Sequence, residues 1–231
     1  GRSPMGARGD VILQLDWTIG EVMRTLDSLG LADNTLLIFT SDNGPVIDDG
    51  YADRAQELLG DHRPMSIYRG GKYSLYEAGT RIPFIVRWPE GVAPGEQPAL
   101  FSQIDVYASL AALLGRPLPE GAAPDSRDRL EELLGRSQED RSHVVQQNLD
   151  NTLSLIRDGW KYLEPSDGPA IEYWTKTELG NAPAPQLYHL TEDPCERHDI
   201  AARHPERTAA MARELEAVEA GPDGDPRPKS R

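Results

Sequence analysis

Six apolar residues, Ile12, Leu15, Ile19, Val22, Leu26 and Leu29, recur at steps of three and four, and a short unbroken apolar run, Thr35-Leu36-Leu37-Ile38-Phe39-Thr40, follows them closely. This succession constrains the fold more than any other feature. The spacing gives one face of an amphipathic helix, with Asp10 placed as its N-cap and Gly30 at the C′ position. Leu31-Ala32-Asp33-Asn34 makes a tight connection, and the run after it reads as a strand buried on both faces, the kind found in a mostly parallel sheet. Ser41-Asp42-Asn43-Gly44-Pro45 stops that strand abruptly. A second strand is expected at Ile82–Trp88, where Pro83 places it at a sheet edge or moves its start towards Phe84. A helix over Ile104–Leu114 ends at Gly115 and Pro117. Helix, strand, loop, strand and helix make the grammar of an α/β domain.

Beyond that point the grammar changes. Arg116–Pro124 is rich in Pro, Gly and Ala and reads as a surface linker, followed by a short helical piece at Leu130–Leu134. His143–Gln147, Thr152–Arg157, Trp160–Leu163 and Gln186–Leu190 are short strand candidates, and Asp158-Gly159 is a two-residue hairpin signal. A helix is expected from Pro205 to Ala220. The chain therefore divides into an α/β portion over residues 1–140, a small antiparallel subdomain with a terminal helix over 141–220, and a flexible tail over 221–231.

With 24 basic against 38 acidic residues, the formal net charge is −14. Such a field repels polyanions at long range, which argues against nucleic acid as a partner, and an anionic substrate would need a local basic pocket. Cys195 is the sole cysteine, so neither an internal disulfide nor a cysteine-rich zinc site can form. No apolar run reaches the length of a membrane span, and no signal peptide is visible.

Asp42 and Asn43 lie just past the carboxyl end of the first expected strand, where open α/β sheets place ligands. A carboxylate beside an amide offers hard oxygens, suited to Ca²⁺ or, less well, Mg²⁺, although Asp-Asn-Gly is also a common turn. Further on, Arg69-Gly70-Gly71-Lys72-Tyr73-Ser74 combines two glycines, which let backbone approach a ligand, with a lysine suited to a tetrahedral oxyanion. The glycine spacing is not that of a P-loop, and alone the segment also reads as a solvated loop. His189, His198 and His204 lack metal-ligand spacing, Trp160 and Tyr162 read as packing residues, and Ser126 has no partner to make it a nucleophile.

Taken in order, TLLIFTSDNGP at Thr35–Pro45, GGKYSLYEAGTRIP at Gly70–Pro83 and FIVRWP at Phe84–Pro89 resemble the C-terminal signature of the sulfatase family within the alkaline-phosphatase superfamily. Leu15–Gly20 and Leu29–Thr35 match the helix and turn before that signature, and Ile104-Asp105, Asp158–Tyr162, Gln186–Tyr188 and Asp193-Pro194 match blocks after it. The resemblance covers Gly9 to Ala201, and its tail looks closest to bacterial arylsulfatases and N-acetylgalactosamine-6-sulfatase-like enzymes. It implies that residues 1–140 are the C-terminal part of an alkaline-phosphatase-like catalytic domain with a mostly parallel sheet. It implies Asp42 and Asn43 as ligands of the family's calcium ion and Lys72 as the lysine on the sulfate group. Glu77, Thr80 and Arg81 would brace that loop. Arg69 could reach substrate or be a surface charge. Asp48, Asp49 and His62 fall in a variable excursion over residues 46–70, where selectivity is expected, and His62 reads as a substrate contact, a general acid or an exposed loop histidine.

Sulfatases use a formylglycine nucleophile made from the Cys or Ser of a C/S-x-P-x-R motif near their N-terminal end. Here Cys195 is followed by Glu196-Arg197-His198 and Ser3 directly by Pro4, so the chain is expected to be a fragment of a longer enzyme, inactive alone. That enzyme would cleave a sulfate ester, R–O–SO₃⁻, of an aryl compound or sulfated glycan, and the family implies a periplasmic or secreted location. The rival readings are a phosphate or phosphonate monoester hydrolase of the same superfamily and a non-catalytic anion- or carbohydrate-binding module.

Overall fold

A computed structural model describes residues 1–221, and the expected flexible tail, apart from Gly221, lies outside the described residues. The first helix, α1, spans Gly6–Ser28 and so begins before Asp10. Asp10 is not its N-cap: from within the helix its carboxylate turns back to accept the N–H groups of Arg2 and Ser3, each at 2.8 Å. At the other end Gly30 has φ +65° and Leu31 N–H reaches back to Leu26 O at 2.9 Å, a glycine-terminated stop of the kind the sequence signals. Much of the helix's apolar stripe is open: Ile12, Leu15 and Val22 are exposed, as is Leu29 just past its end. Periodicity identifies the apolar face but not what covers it.

The strand β1, Leu37–Thr40, pairs antiparallel with β2, Phe84–Arg87, setting Leu37 opposite Arg87 and Thr40 opposite Phe84. The pairing within the described residues is thus antiparallel where a mostly parallel sheet is expected. An apolar run does not specify the direction of its neighbour, and a connection long enough for a parallel crossover also permits an antiparallel return. Nor is β1 buried on both faces, since its first three residues are half-buried and Thr40 is exposed. As expected, Pro83 stands just outside β2, which starts at Phe84.

Two short helices interrupt the connection, α2 at Ala55–Leu58 and α3 at Glu77–Thr80, while α4 at Asp105–Leu113 and α5 at Leu130–Leu133 follow β2. Four further strands, β3 (Val144–Gln147), β4 (Leu153–Arg157), β5 (Trp160–Leu163) and β6 (Gln186–His189), form a sheet in that order. The β4–β5 turn places Asp158 at φ 51° and Gly159 at φ 75°, the two positive dihedrals that the Asp-Gly pair signals. Helix α6, Pro205–Ala220, closes the described chain.

Contacts group the residues into two compact units, neither of them one continuous stretch. The unit of Asp16–Thr40 and Pro83–Val144 contains the β1–β2 pair and is pinned by a buried ion pair, Arg141 Nε to Asp105 Oδ2 at 3.0 Å. The other unit joins Gly1–Leu15 and Ser41–Ile82 to the chain from Val145 onward. Its order follows from strand alternation. On one face of the four-stranded sheet Leu155, Tyr162 and Leu187 pack with Met211 and Leu215 of α6, and Trp160 joins them. On the opposite face Leu163 and Tyr188 pack with Leu75 and Tyr76. Each such buried large side chain contributes about 1.5–3 kcal/mol. The segment around α3 therefore serves as the second cover of the sheet, which fixes the loop immediately before it.

Candidate active site

The turn after β1 is built from its own side chains. Asp42 Oδ1 accepts the Asn43 N–H at 3.0 Å, Ser41 Oγ donates to Asn43 O at 3.0 Å, and Asn43 Nδ2 donates to Gly44 O at 2.8 Å. Two backbone bonds then lace this turn to the glycine loop: Gly44 N–H to Gly79 O and Lys72 N–H to Pro45 O, both 2.8 Å. The approach leaves no room for side chains. A Cβ on Gly44 would lie 1.7 Å from Ala78 O, one on Gly71 2.8 Å from Pro45 O, and one on Gly79 2.2 Å from Ser74 O. Asp42, Asn43 and Lys72, separate in sequence, are thereby carried by one interlocked pair of loops. Tyr73, next to Lys72, sits at φ +82°, a region that disfavours a non-glycine residue and is met most often where structure around a site over-determines it.

The Lys72 ammonium lies 5.3 Å from the centre of the Tyr73 ring and has no ion-pair partner among the described residues. Within a chain of net charge −14 it is a cation left available for an anion. Asp42 is exposed and Asn43 half-buried. Asp42 Oδ2 and Asn43 Oδ1 carry none of the hydrogen bonds of the turn, so one carboxylate and one amide oxygen remain as hard donors. That donor set fits Ca²⁺ in kind, though a calcium ion takes six to eight oxygens. No group of three or more His, Cys, Asp or Glu placed to hold a metal occurs among the described residues.

Behind the loop stands a network that the sequence only half reveals. Lys161, fully buried on β5, lies 3.0 Å from Glu77 and 3.1 Å from Glu196. Glu196 Oε2 accepts the Glu77 N–H at 2.6 Å, and Arg81 Nε donates to the second Glu77 oxygen at 2.7 Å. Burial alone would raise the Glu77 pKa, but Lys161 and Arg81 outweigh it and hold the carboxyl below its usual range. At Glu196 burial wins, and its pKa is raised. Thr80 Oγ1 accepts from Gln146 Nε2, so Glu77, Thr80 and Arg81 are all engaged in holding the segment. Lys161 and Glu196 are the members that sequence reasoning misses; the one local signal is a lysine between Trp160 and Tyr162 in an otherwise buried strand.

Arg69 is committed differently from Lys72. Its guanidinium makes a two-pronged pair with Glu178 at 2.8 and 3.1 Å, donates to Glu196 O at 2.9 Å, and lies 3.9 Å over the Tyr76 ring. Glu178 holds its pKa down in return, through the Arg69 hydrogen bonds. His62 is exposed on the excursion, and its backbone N–H bonds to Leu59 O at 3.2 Å. Asp49 and Asp53 pair with Arg8, and Asp48 Oδ1 accepts the Gly50 N–H. His189 and His204 lie against Trp160, tilted and edge-on respectively, at 4.4 and 5.3 Å between ring centres.

The sequence model of the sulfatase family matches residues 2–116. The chain is 66% identical to an N-acetylgalactosamine-6-O-sulfatase of Bacteroides thetaiotaomicron over 94% of its own length and 43% of that protein's. Against a steryl-sulfatase of Rattus norvegicus the identity is 32%, over 94% of this chain and 40% of the relative. A solved Bacteroides thetaiotaomicron structure, described under the metabolism of multiple glycosaminoglycans, superposes with a TM-score of 0.93 at 66% identity, covering 94% of this chain and 45% of that one. The chain thus spans under half the length of the relatives it matches. The laced loops that carry Asp42, Asn43 and Lys72, and the buried charges behind them, are those of a chain that belongs to the sulfatase family.

Proposed function

We propose that this chain supplies one half of the active site of a sulfuric ester hydrolase acting on sulfated glycans. The observation that carries the reading is the pair of loops laced by Gly44–Gly79 and Pro45–Lys72 backbone bonds, which presents two hard oxygens and an ammonium with no ion pair among the described residues on one support. The similarity to a protein named an N-acetylgalactosamine-6-O-sulfatase points to an amino-sugar sulfate as substrate.

In this reading Asp42 and Asn43 are ligands of a calcium ion, completed by residues outside this chain. Calcium, when bound, supplies charge neutralisation to the sulfate oxygens. The nucleophile, formylglycine, also lies outside it. Lys72 holds the sulfate as a point charge and opposes the negative charge that grows on the ester oxygens as R–O–SO₃⁻ and water become alcohol and hydrogen sulfate. Arg69 positions the glycine loop through Glu178 and Glu196 rather than touching substrate, while His62, exposed on the excursion, is left to contact the sugar. Residues 1–140 are the C-terminal part of a catalytic domain whose complete sheet is mostly parallel, and 141–220 the smaller subdomain. The compact units cut across that division because Lys161 and Glu196 anchor the segment around Glu77. A periplasmic or secreted location suits a glycan substrate, and no helix among the described residues is long and apolar enough to cross a membrane.

The test is sulfate release by the intact enzyme containing this chain, from a 6-sulfated N-acetylgalactosaminide and an aryl sulfate, with and without calcium. Sulfate release that depends on calcium and on Lys72 supports the reading. Release of phosphate from a monoester in preference to sulfate would transfer the chain to the rival phosphate or phosphonate hydrolases.

A further inference from the structure

The connection from β5 to β6 contains a small hairpin whose tip is aromatic. Ile171 bridges Glu178, Glu172 N–H bonds to Thr177 O at 2.8 Å, and Lys176 N–H returns to Glu172 O at 3.1 Å. At the tip Tyr173 and Trp174 are 71% and 75% exposed, yet they stand edge to face with ring centres 4.9 Å apart, and Lys176 Nζ lies 4.5 Å from the Tyr173 ring centre. The nearby acids point elsewhere: Glu172 is buried and caps Thr175, and Glu178 is paired with Arg69. In a strongly acidic protein this tip therefore presents two largely exposed rings and a cation with no ion pair among the described residues.

The hairpin is rooted in the same support as the candidate site. Leu75 N–H bonds to Leu179 O at 3.0 Å, Glu178 grips Arg69 directly before Gly70, and a Cβ on Gly71 would come within 3.6 Å of the Thr177 methyl. Asn181 ties the base to Asp150 and Pro169 O at 2.8 and 2.9 Å. The backbone that carries the rings is thus anchored before any ligand arrives, which lowers the conformational cost of binding.

We propose that the Tyr173–Trp174–Lys176 tip is a glycan-binding platform, on which a pyranose ring of a sulfated polysaccharide stacks while Lys176 takes an anionic substituent of the same chain. The polarised C–H face of a sugar is attracted to the negative face of an aromatic ring, and the ammonium supplies what the −14 field otherwise denies a polyanion. A polysaccharide is favoured over a protein partner because the tip joins ring faces to a lone cation beside the sulfate-binding loop. The proposal deepens, and rests on, the reading of this chain as part of a glycan sulfatase.

Binding can be tested on the intact enzyme containing this chain, following its tryptophan indole N–H signals by NMR with a chondroitin 6-sulfate tetrasaccharide as probe. The Trp174 signal is expected to move with a Kd of about 1 mM, corresponding to about −4 kcal/mol. Trp174→Ala should weaken binding about tenfold or more, Trp174→Phe should keep most of it, and Lys176→Ala should weaken it and flatten its salt dependence. A Trp174 signal unmoved by the probe, or equal affinity for wild type and Trp174→Ala, overturns the platform. These results are independent of turnover: absence of sulfate release by the intact enzyme would sink the sulfatase reading, whereas an unmoved signal with turnover intact sinks only the platform.

Discussion

Replacing Lys161 with methionine tests what holds the site loop in place. The substitution keeps an unbranched side chain, one atom shorter, and removes its charge, leaving two buried carboxylates that faced the ammonium at 3.0 and 3.1 Å. At an effective dielectric of about 20, each contact is worth about 5 kcal/mol of Coulomb energy. Part of that sum is offset, because the ammonium need no longer be desolvated. Glu77 also keeps Arg81, and Glu196 keeps the Glu77 N–H. The net loss should be about 3–5 kcal/mol, as for other buried pairs broken from one side. For a chain of this size that lowers the melting temperature by about 6–20 °C. Urea unfolding followed by circular dichroism measures it. The cost should shrink as the pH is lowered, since the stranded carboxyls can then take up protons. Adding Glu77→Gln and Glu196→Gln should recover much of the loss by removing the uncompensated charges. A single substitution that costs under about 1 kcal/mol would refute the claim that this network anchors the segment.

In the intact enzyme, Lys72→Ala should lower kcat and kcat/KM together by about a hundredfold, with Lys72→Arg recovering little, because a planar fork cannot occupy the position of a point charge between close-set loops. Steady-state kinetics on an aryl sulfate decides it. Gly44→Ala forces a methyl against Ala78 O and should cost about 1–3 kcal/mol in thermal unfolding while raising the calcium needed for activity. Glu77 and Glu178 both have pKa values below the ordinary 4.5, so their contribution is fully present above that pH and is lost as the pH falls through their lower values in the folded state. Glu196, shifted upward, works in the opposite sense, its contribution being lost as the pH rises. Melting curves from pH 7 to pH 3 should therefore show a weaker acid dependence in Glu178→Gln than in the wild type. The chain alone should release no sulfate and bind calcium weakly, and tight stoichiometric binding by calorimetry would reveal ligands beyond Asp42 and Asn43.

Local signals were legible where local physics decides the outcome. The Asp158-Gly159 turn, the stop at Gly30, the strand start after Pro83 and the span of α6 all follow from dihedral preferences and periodicity. The direction of β1 relative to β2 was not legible, because it depends on the path of the chain between them. Asp10 read as a cap, but its carboxylate is taken by backbone N–H groups of the preceding residues, which extends the helix towards the N-terminus. At the site, ordered motifs brought Asp42, Asn43 and Lys72 to notice, and Glu77 and Arg81 as braces. Arg69 shows the limit. A glycine-flanking arginine carries no sign of Glu178, which lies 109 residues away.

That separation has a consequence for how the protein is made. Glu196 lies 119 residues beyond the Glu77 N–H it captures, and Glu178 is nearly as remote from Arg69. During synthesis at about 5–20 residues per second, the segment bearing Lys72 would wait about 6–24 s for its anchor to be translated. Until β5 and β6 have been made, the hydrophobic faces of Leu75 and Tyr76 have no sheet to cover. The nascent chain is then a ready client for holding chaperones, and a stop codon before Glu196 would leave the glycine loop without its Glu196 anchor although every residue of the loop had been made.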